Sequence, residues 1–148
     1  MNARVSGLPP VIVLAEDDDA LRSMLSGLLR RNFPGHDIQS LPNGLEADAA
    51  VKQLIGQGRN VAMVVSDLVM PEMDGLELLE RCADHNPEII RVILTGQGAL
   101  DSAIQSLRMG VDDYVQKPFN EVELVRTLSR HLDNRALQAI NEHLRKRL

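Results

Sequence analysis

Val11–Ala15 reads VIVLA and is followed at once by Glu16-Asp17-Asp18-Asp19. The run is short, continuous and rich in β-branched residues. That is the pattern of a strand buried on both faces in the middle of a parallel sheet. Val61–Val65 (VAMVV) and Ile89–Leu94 (IIRVIL) repeat it. The shorter stretches Asp37–Leu41 and Asp113–Gln116 suit positions nearer the sheet edges. Helical stripes lie between them. Leu21, Met24, Leu25, Leu28 and Leu29 share one face of a helix, as do Ala47, Ala50, Val51 and Leu54. Leu76, Leu79 and Ala83 follow, then Leu100, Ala103, Ile104 and Leu107, then Val122, Val125, Leu128 and Leu132. Strand and helix thus alternate five times, which predicts an α/β fold: a doubly wound, five-stranded parallel sheet with five helices on its two faces. Leu132, Ala136, Ile140, Leu144 and Leu148 recur every fourth residue, so the last helix is allowed to run on past Leu132. That extension reads either as a helix end folding back or as a connector.

A length of 148 residues suits one domain with a short extension. The expected division is a tail over 1–10, the domain over 11–132, and a helical extension or linker over 133–148. Hydrophobic residues at 44% and charged residues at 25% supply a core and exclude disorder by composition. Aromatics are only 2%: Phe33, Tyr114 and Phe119. That is too few for base-stacking platforms, and the net charge of −5 argues against a phosphate-backbone binder, so no direct nucleic-acid contact is expected. The single Cys82 excludes an internal disulfide framework and suits a reducing compartment. No apolar run reaches membrane-spanning length, and Met1–Pro10 lacks a signal-peptide core. The expectation is a cytoplasmic protein without a membrane partner. Residues 1–133 carry 20 acids and 12 bases, whereas 134–148 carry one acid and four bases. The basic end is read first as cations suited to a helix C-terminus.

In such sheets ligands bind beyond the carboxyl ends of the strands. The first strand runs into Glu16-Asp17-Asp18-Asp19 and the third into Ser66-Asp67-Leu68-Val69-Met70-Pro71. The fourth runs into Thr95-Gly96-Gln97-Gly98 and the fifth into Lys117-Pro118-Phe119. Singly, each residue has an ordinary account: a helix-start acid, a turn aspartate, a capping threonine, a solvated lysine. For Asp18 and Asp19 that account is preferred. Together, Glu16, Asp17, Asp67, Thr95 and Lys117 would meet on one edge of the sheet. Crowded carboxylates repel unless a cation joins them. Oxygen donors with room for water favour magnesium. The chemistry such a pocket suits is phosphoryl transfer, with an aspartate able to act as the nucleophile.

The segments VIVLAEDDDALR (Val11–Arg22), VVSDLVMPEMDGLELL (Val64–Leu79), VILTGQG (Val92–Gly98) and GVDDYVQKPF (Gly110–Phe119) together resemble a two-component response-regulator receiver domain. The resemblance spans about residues 10–132 and implies a flavodoxin-like fold. It implies phosphorylation of Asp67, with magnesium held by Glu16 (through water), Asp17, Asp67 and the backbone carbonyl of Val69. It further implies catalytic roles for Thr95 and Lys117, a switch formed by Thr95 and Tyr114, and a cis Lys117-Pro118 bond.

On this reading Asp67 takes a phosphoryl group from a sensor histidine kinase or a histidine phosphotransfer protein, and the chain is a signalling phospho-acceptor rather than a metabolic enzyme. Gly96 leaves room for the phosphate, Thr95 moves toward it, and Tyr114 turns inward. The readout surface is expected over about residues 100–132. The kinase is expected on the first helix near Leu25 and on the loop after Lys117. The C-terminal helix would lead to an output domain or pair with a second copy. Val69 and Gln97 would border the path of a hydrolytic water, and Val69 has no polar group to orient it, so slow self-dephosphorylation is expected. Other readings are a magnesium-dependent phosphatase with an aspartate nucleophile, an adaptor of the same fold that ignores phosphate, and a flavodoxin-like electron carrier. The carrier would need a phosphate-cradling loop and flanking aromatics, and the sequence shows neither.

Overall fold

Val11–Ala15 forms β1, with every residue fully buried. In the computed structural model, which describes residues 7–96 and 110–147, β1 is followed by α1 (Asp19–Asn32), β2 (Asp37–Leu41), α2 (Gly44–Gly56) and β3 (Val61–Asp67). Then come α3 (Gly75–His85), β4 (Ile90–Thr95), β5 (Asp113–Gln116) and α4 (Glu121–Arg147). The five strands form one parallel sheet in the order β2-β1-β3-β4-β5. The three apolar runs are its centre, and the two half-polar stretches are its edges. The helical stripe at 100–107 lies outside the described residues, so four of the five expected helices are seen.

The sheet is covered on both faces because its central strands are apolar on both. One layer joins Val13, Val64 and Ile93 to Val51, Leu54, Leu78 and Leu79 of α2 and α3. The other joins Leu14, Val65 and Leu94 to Leu25, Leu28 and Leu29 of α1 and to Leu124 and Leu128 of α4. Each such leucine contributes about 1.5–3 kcal/mol by leaving water. Caps set the helix starts: Asp18, Asn43 and Asp74 accept from the backbone N–H of Leu21, Glu46 and Glu77. Between α2 and α3 the buried Asp48 carboxylate pairs with His85 Nε2 at 2.7 Å, Lys52 at 3.6 Å and Arg81 at 3.7 Å. A buried carboxylate requires such partners.

α4 is 27 residues long and continues well past Leu132. Its first half is tied to β5, where Arg130 and His131 meet Asp113 at 3.1 and 2.9 Å, and just past its middle Arg135 meets Glu88 of the α3–β4 loop at 3.3 Å. Its last turns leave Leu137, Ile140 and Leu144 more than half exposed.

The α1–β2 turn carries a pH-sensitive group. The His36 N–H donates to the Phe33 carbonyl, its ring stands edge-on to Phe33, and burial pushes its pKa below 6.5. The unfolded chain therefore binds that proton more readily. The contribution is complete above the ordinary histidine pKa and is lost as pH falls through the lowered folded value. His36→Gln is expected to flatten the fall in Tm between about pH 7 and about pH 5. Parallel Tm profiles for the two proteins would contradict this.

Candidate functional site

Parallel register brings the strand ends level. Ala15 pairs with Ser66, so Glu16 and Asp67 emerge side by side from β1 and β3, where the strand order reverses. Asp67 pairs with Leu94, which sets Thr95 one step further along β4. The Lys117 N–H donates to the Thr95 carbonyl at 2.6 Å, hanging the lysine on the end of β4. Lys117-Pro118 is cis.

The side chains converge. Lys117 Nζ lies 3.1 Å from Glu16 Oε1 and 3.3 Å from Asp67 Oδ1. One carboxylate oxygen from each of Glu16, Asp17 and Asp67 lies within 4.8 Å of the others. Glu16 and Thr95 are 1% and 2% exposed, Asp67 is buried, and Asp17 is exposed. Burial raises the Glu16 pKa, with the Asp67 charge adding to the rise, against the pull of the Asp18 N–H and Lys117. For Lys117, burial alone would lower the pKa, but Glu16 and Asp67 together outweigh it and the ammonium form is favoured. The pocket thus has three hard oxygen donors short of positive charge, one of them buried at a cost, which fits a small divalent cation.

Residues 12–129 match the response regulator receiver domain family. The chain belongs to this family. Receiver domains serve two-component signalling and generally bind magnesium. A probable transcriptional regulatory protein, TcrX of Mycobacterium tuberculosis, is 33% identical over 82% of this chain and 49% of its own length. The response regulator protein FleR of Pseudomonas aeruginosa is 35% identical over 81% of the chain and 24% of its own. This chain therefore spans about half or less of those relatives. Among solved structures, NtrX from Brucella abortus superposes with a TM-score of 0.82 at 27% identity, over 94% of this chain and 30% of that one. A CheY-like receiver domain protein from Methanospirillum hungatei gives 0.76 at 25%, over 88% and 98%.

Within this receiver, Val69 is 72% exposed on the loop after β3 and lies beside the acidic cluster in sequence only two residues from Asp67. A methyl group built on Gly96 meets nothing within 4 Å among the described residues. Tyr114 is half-buried and packs against the α2–α3 layer, not fully exposed. Gln97 and most of the expected readout surface before β5 lie outside the described residues. Leu25, near which docking on α1 is expected, is itself 1% exposed and packs in the sheet layer, whereas its neighbour Met24 is 40% exposed. Among the described residues no helix is long and apolar enough to cross a membrane.

Three supporting residues escaped the sequence reading. Ser66 Oγ donates to the Asp67 carbonyl at 2.9 Å. Gly75, the first residue of α3, approaches that same carbonyl so closely that a Cβ there would collide with it. Arg22 Nη1 donates to the Glu16 carbonyl at 2.9 Å. Only the Asp74-Gly75 pair carried a local signal, as a turn.

Proposed function

We propose that this receiver takes a phosphoryl group onto Asp67 from the phosphohistidine of a sensor kinase or histidine phosphotransfer protein. The observation that supports this best is the Lys117 ammonium 3.3 Å from Asp67 Oδ1, beside the acidic cluster. Asp67 attacks phosphorus through a carboxylate oxygen. A P–O bond forms, the P–N bond breaks, and the electron pair stays on the donor imidazole. Lys117 neutralises charge on the phosphoryl oxygens. Glu16, Asp17, Asp67 and the Val69 carbonyl are the groups that would hold magnesium, which when bound supplies further charge neutralisation. Thr95 then follows the new phosphate, and Tyr114 moves further inward, changing the outer surface around β5.

The domain spans 11–132 and works in the cytoplasm. Residues 133–148 are a helical extension or linker, leading to an output element or a second copy. Docking of the kinase uses α1 around Met24 and the loop after Lys117. The phosphatase reading is disfavoured because the second position after Asp67, where such enzymes carry a general acid, is Val69.

The test is incubation with acetyl phosphate and magnesium, followed by mass measurement and peptide mapping. Acid-labile phosphate on the Asp67 peptide is expected, and it should disappear when magnesium is chelated. A chain that stays unlabelled at every magnesium concentration would end this reading. Val69→Asn is expected to speed loss of that phosphate several-fold, because an amide can orient water where an exposed isopropyl group cannot. An unchanged or slower decay would reject the role given to Val69.

A further inference from the structure

Asp17 is exposed, and it sits in the three-residue link Glu16–Asp18 between β1 and α1. A carboxylate in so short an exposed link presents itself in one direction only if its backbone is held. The Glu16 N–H donates to the Leu41 carbonyl at 3.1 Å, which anchors one side of Glu16 to β2. The other side is gripped from α1. Arg22 Nη1 donates to the Glu16 carbonyl at 2.9 Å, and Arg22 Nη2 is braced on Asp19 at 2.6 Å. The Arg22 N–H also donates to the Asp18 carbonyl at 2.8 Å. The two prongs of one planar guanidinium thus fix the carbonyl of the Glu16–Asp17 peptide relative to the first turn of α1. The side chain is 21% exposed, so this grip is partly shielded from water.

We propose that Arg22 is a positioning residue for divalent-cation binding: it fixes the Glu16–Asp17 peptide and so the direction in which the Asp17 carboxylate is presented. This rests on the magnesium reading above. Without the guanidinium, the carbonyl of a residue only 1% exposed loses its partner, and the peptide can rotate toward solvent. The sign of the effect separates positioning from charge. A cation beside a metal site repels the metal, so deleting Arg22 would tighten binding if charge were all that mattered. Positioning makes the same deletion weaken it.

Magnesium titration followed in the amide NMR spectrum gives both the dissociation constant and evidence of folding. Arg22→Gln is expected to weaken magnesium binding on the order of tenfold, as loss of a group orienting a ligand does. Arg22→Lys keeps the charge but not the fork, and is expected to fall between Arg22→Gln and the unaltered chain. Asp19→Asn keeps the bond to the Glu16 carbonyl and is expected to have a smaller effect than Arg22→Gln. Unchanged or tighter binding in Arg22→Gln overturns the proposal, as does an Asp19→Asn loss of equal size. If Arg22→Gln fails to fold, Arg22→Lys decides, and binding equal to that of the unaltered chain rejects the role. A lack of magnesium response in the unaltered chain overturns the magnesium reading itself, and this inference with it.

Discussion

Asp67→Asn is expected to abolish incorporation of acid-labile phosphate while leaving the fold intact. Asparagine has the shape of aspartate, and the backbone of residue 67 is held independently of its side chain. Its carbonyl accepts from Ser66 Oγ, and its strand pairs with β4. The replacement removes the nucleophilic charge, and with it one carboxylate of the acidic cluster and one partner of Lys117. An amide oxygen is uncharged and a far weaker nucleophile, so it cannot stand in for a carboxylate that must bond to phosphorus. The Lys117 ammonium keeps its contact with Glu16 at 3.1 Å, so the pocket does not lose its cation. The measurement is the mass of the protein after acetyl phosphate treatment, with the amide spectrum as a control for folding. Label retained at the level of the unaltered chain would move the acceptor to another acid, with Asp17 the first to examine.

Gly75→Ala is expected to lower Tm by several degrees and to reduce labelling of Asp67. Local preference points the other way, since alanine in a helix is better than glycine by about 1 kcal/mol. Tertiary contact reverses the sign. A Cβ on Gly75 would fall on the Asp67 carbonyl oxygen, with the carbonyl carbon and Ile93 Cδ1 each only 3.0 Å away. The obstacle is backbone, which cannot swing aside as a side chain tip can. The Gly75 N–H also donates to the Leu68 carbonyl at 2.9 Å, which holds the helix start where it is. Overpacking of this kind costs roughly 1–3 kcal/mol, and each kcal/mol is worth roughly 2–4 °C in a chain somewhat larger than a minimal domain. Because the displaced atoms belong to residue 67, the phospho-acceptor moves with them. A Tm equal to or above that of the unaltered protein would show that the α3 start yields freely, and would remove Gly75 from the support of the site.

The fold and the candidate site were legible in the sequence to different depths. Val11–Ala15, Val61–Val65 and Ile89–Leu94 could be placed at the sheet centre because a strand covered on both faces must be apolar at every position. Glu16, Asp17, Asp67, Thr95 and Lys117 could be picked out because each stands at or just beyond the carboxyl end of a strand, and a parallel sheet sets all those ends on one edge. Met24 was placed with Leu25 on the apolar face of the first helix, yet it is 40% exposed where Leu25 is 1% exposed. Which member of a stripe reaches water depends on the exact rotation of the helix over the sheet.

What the sequence determined by itself was periodicity and order: which stretches are strands, which are helices, and which polar residues stand at the exits. Those properties depend on neighbours a few residues away. What only the tertiary structure decided were contacts between backbones and side chains remote in the chain or buried in a turn. The seat of Lys117 between Glu16 and Asp67, the approach of Gly75 to the Asp67 carbonyl, and the grip of Arg22 on the Glu16 carbonyl are of this kind. Carbonyl groups are the same in every residue, so no composition or spacing marks the ones that will be held. Their partners are chosen only when register and packing have brought the elements together.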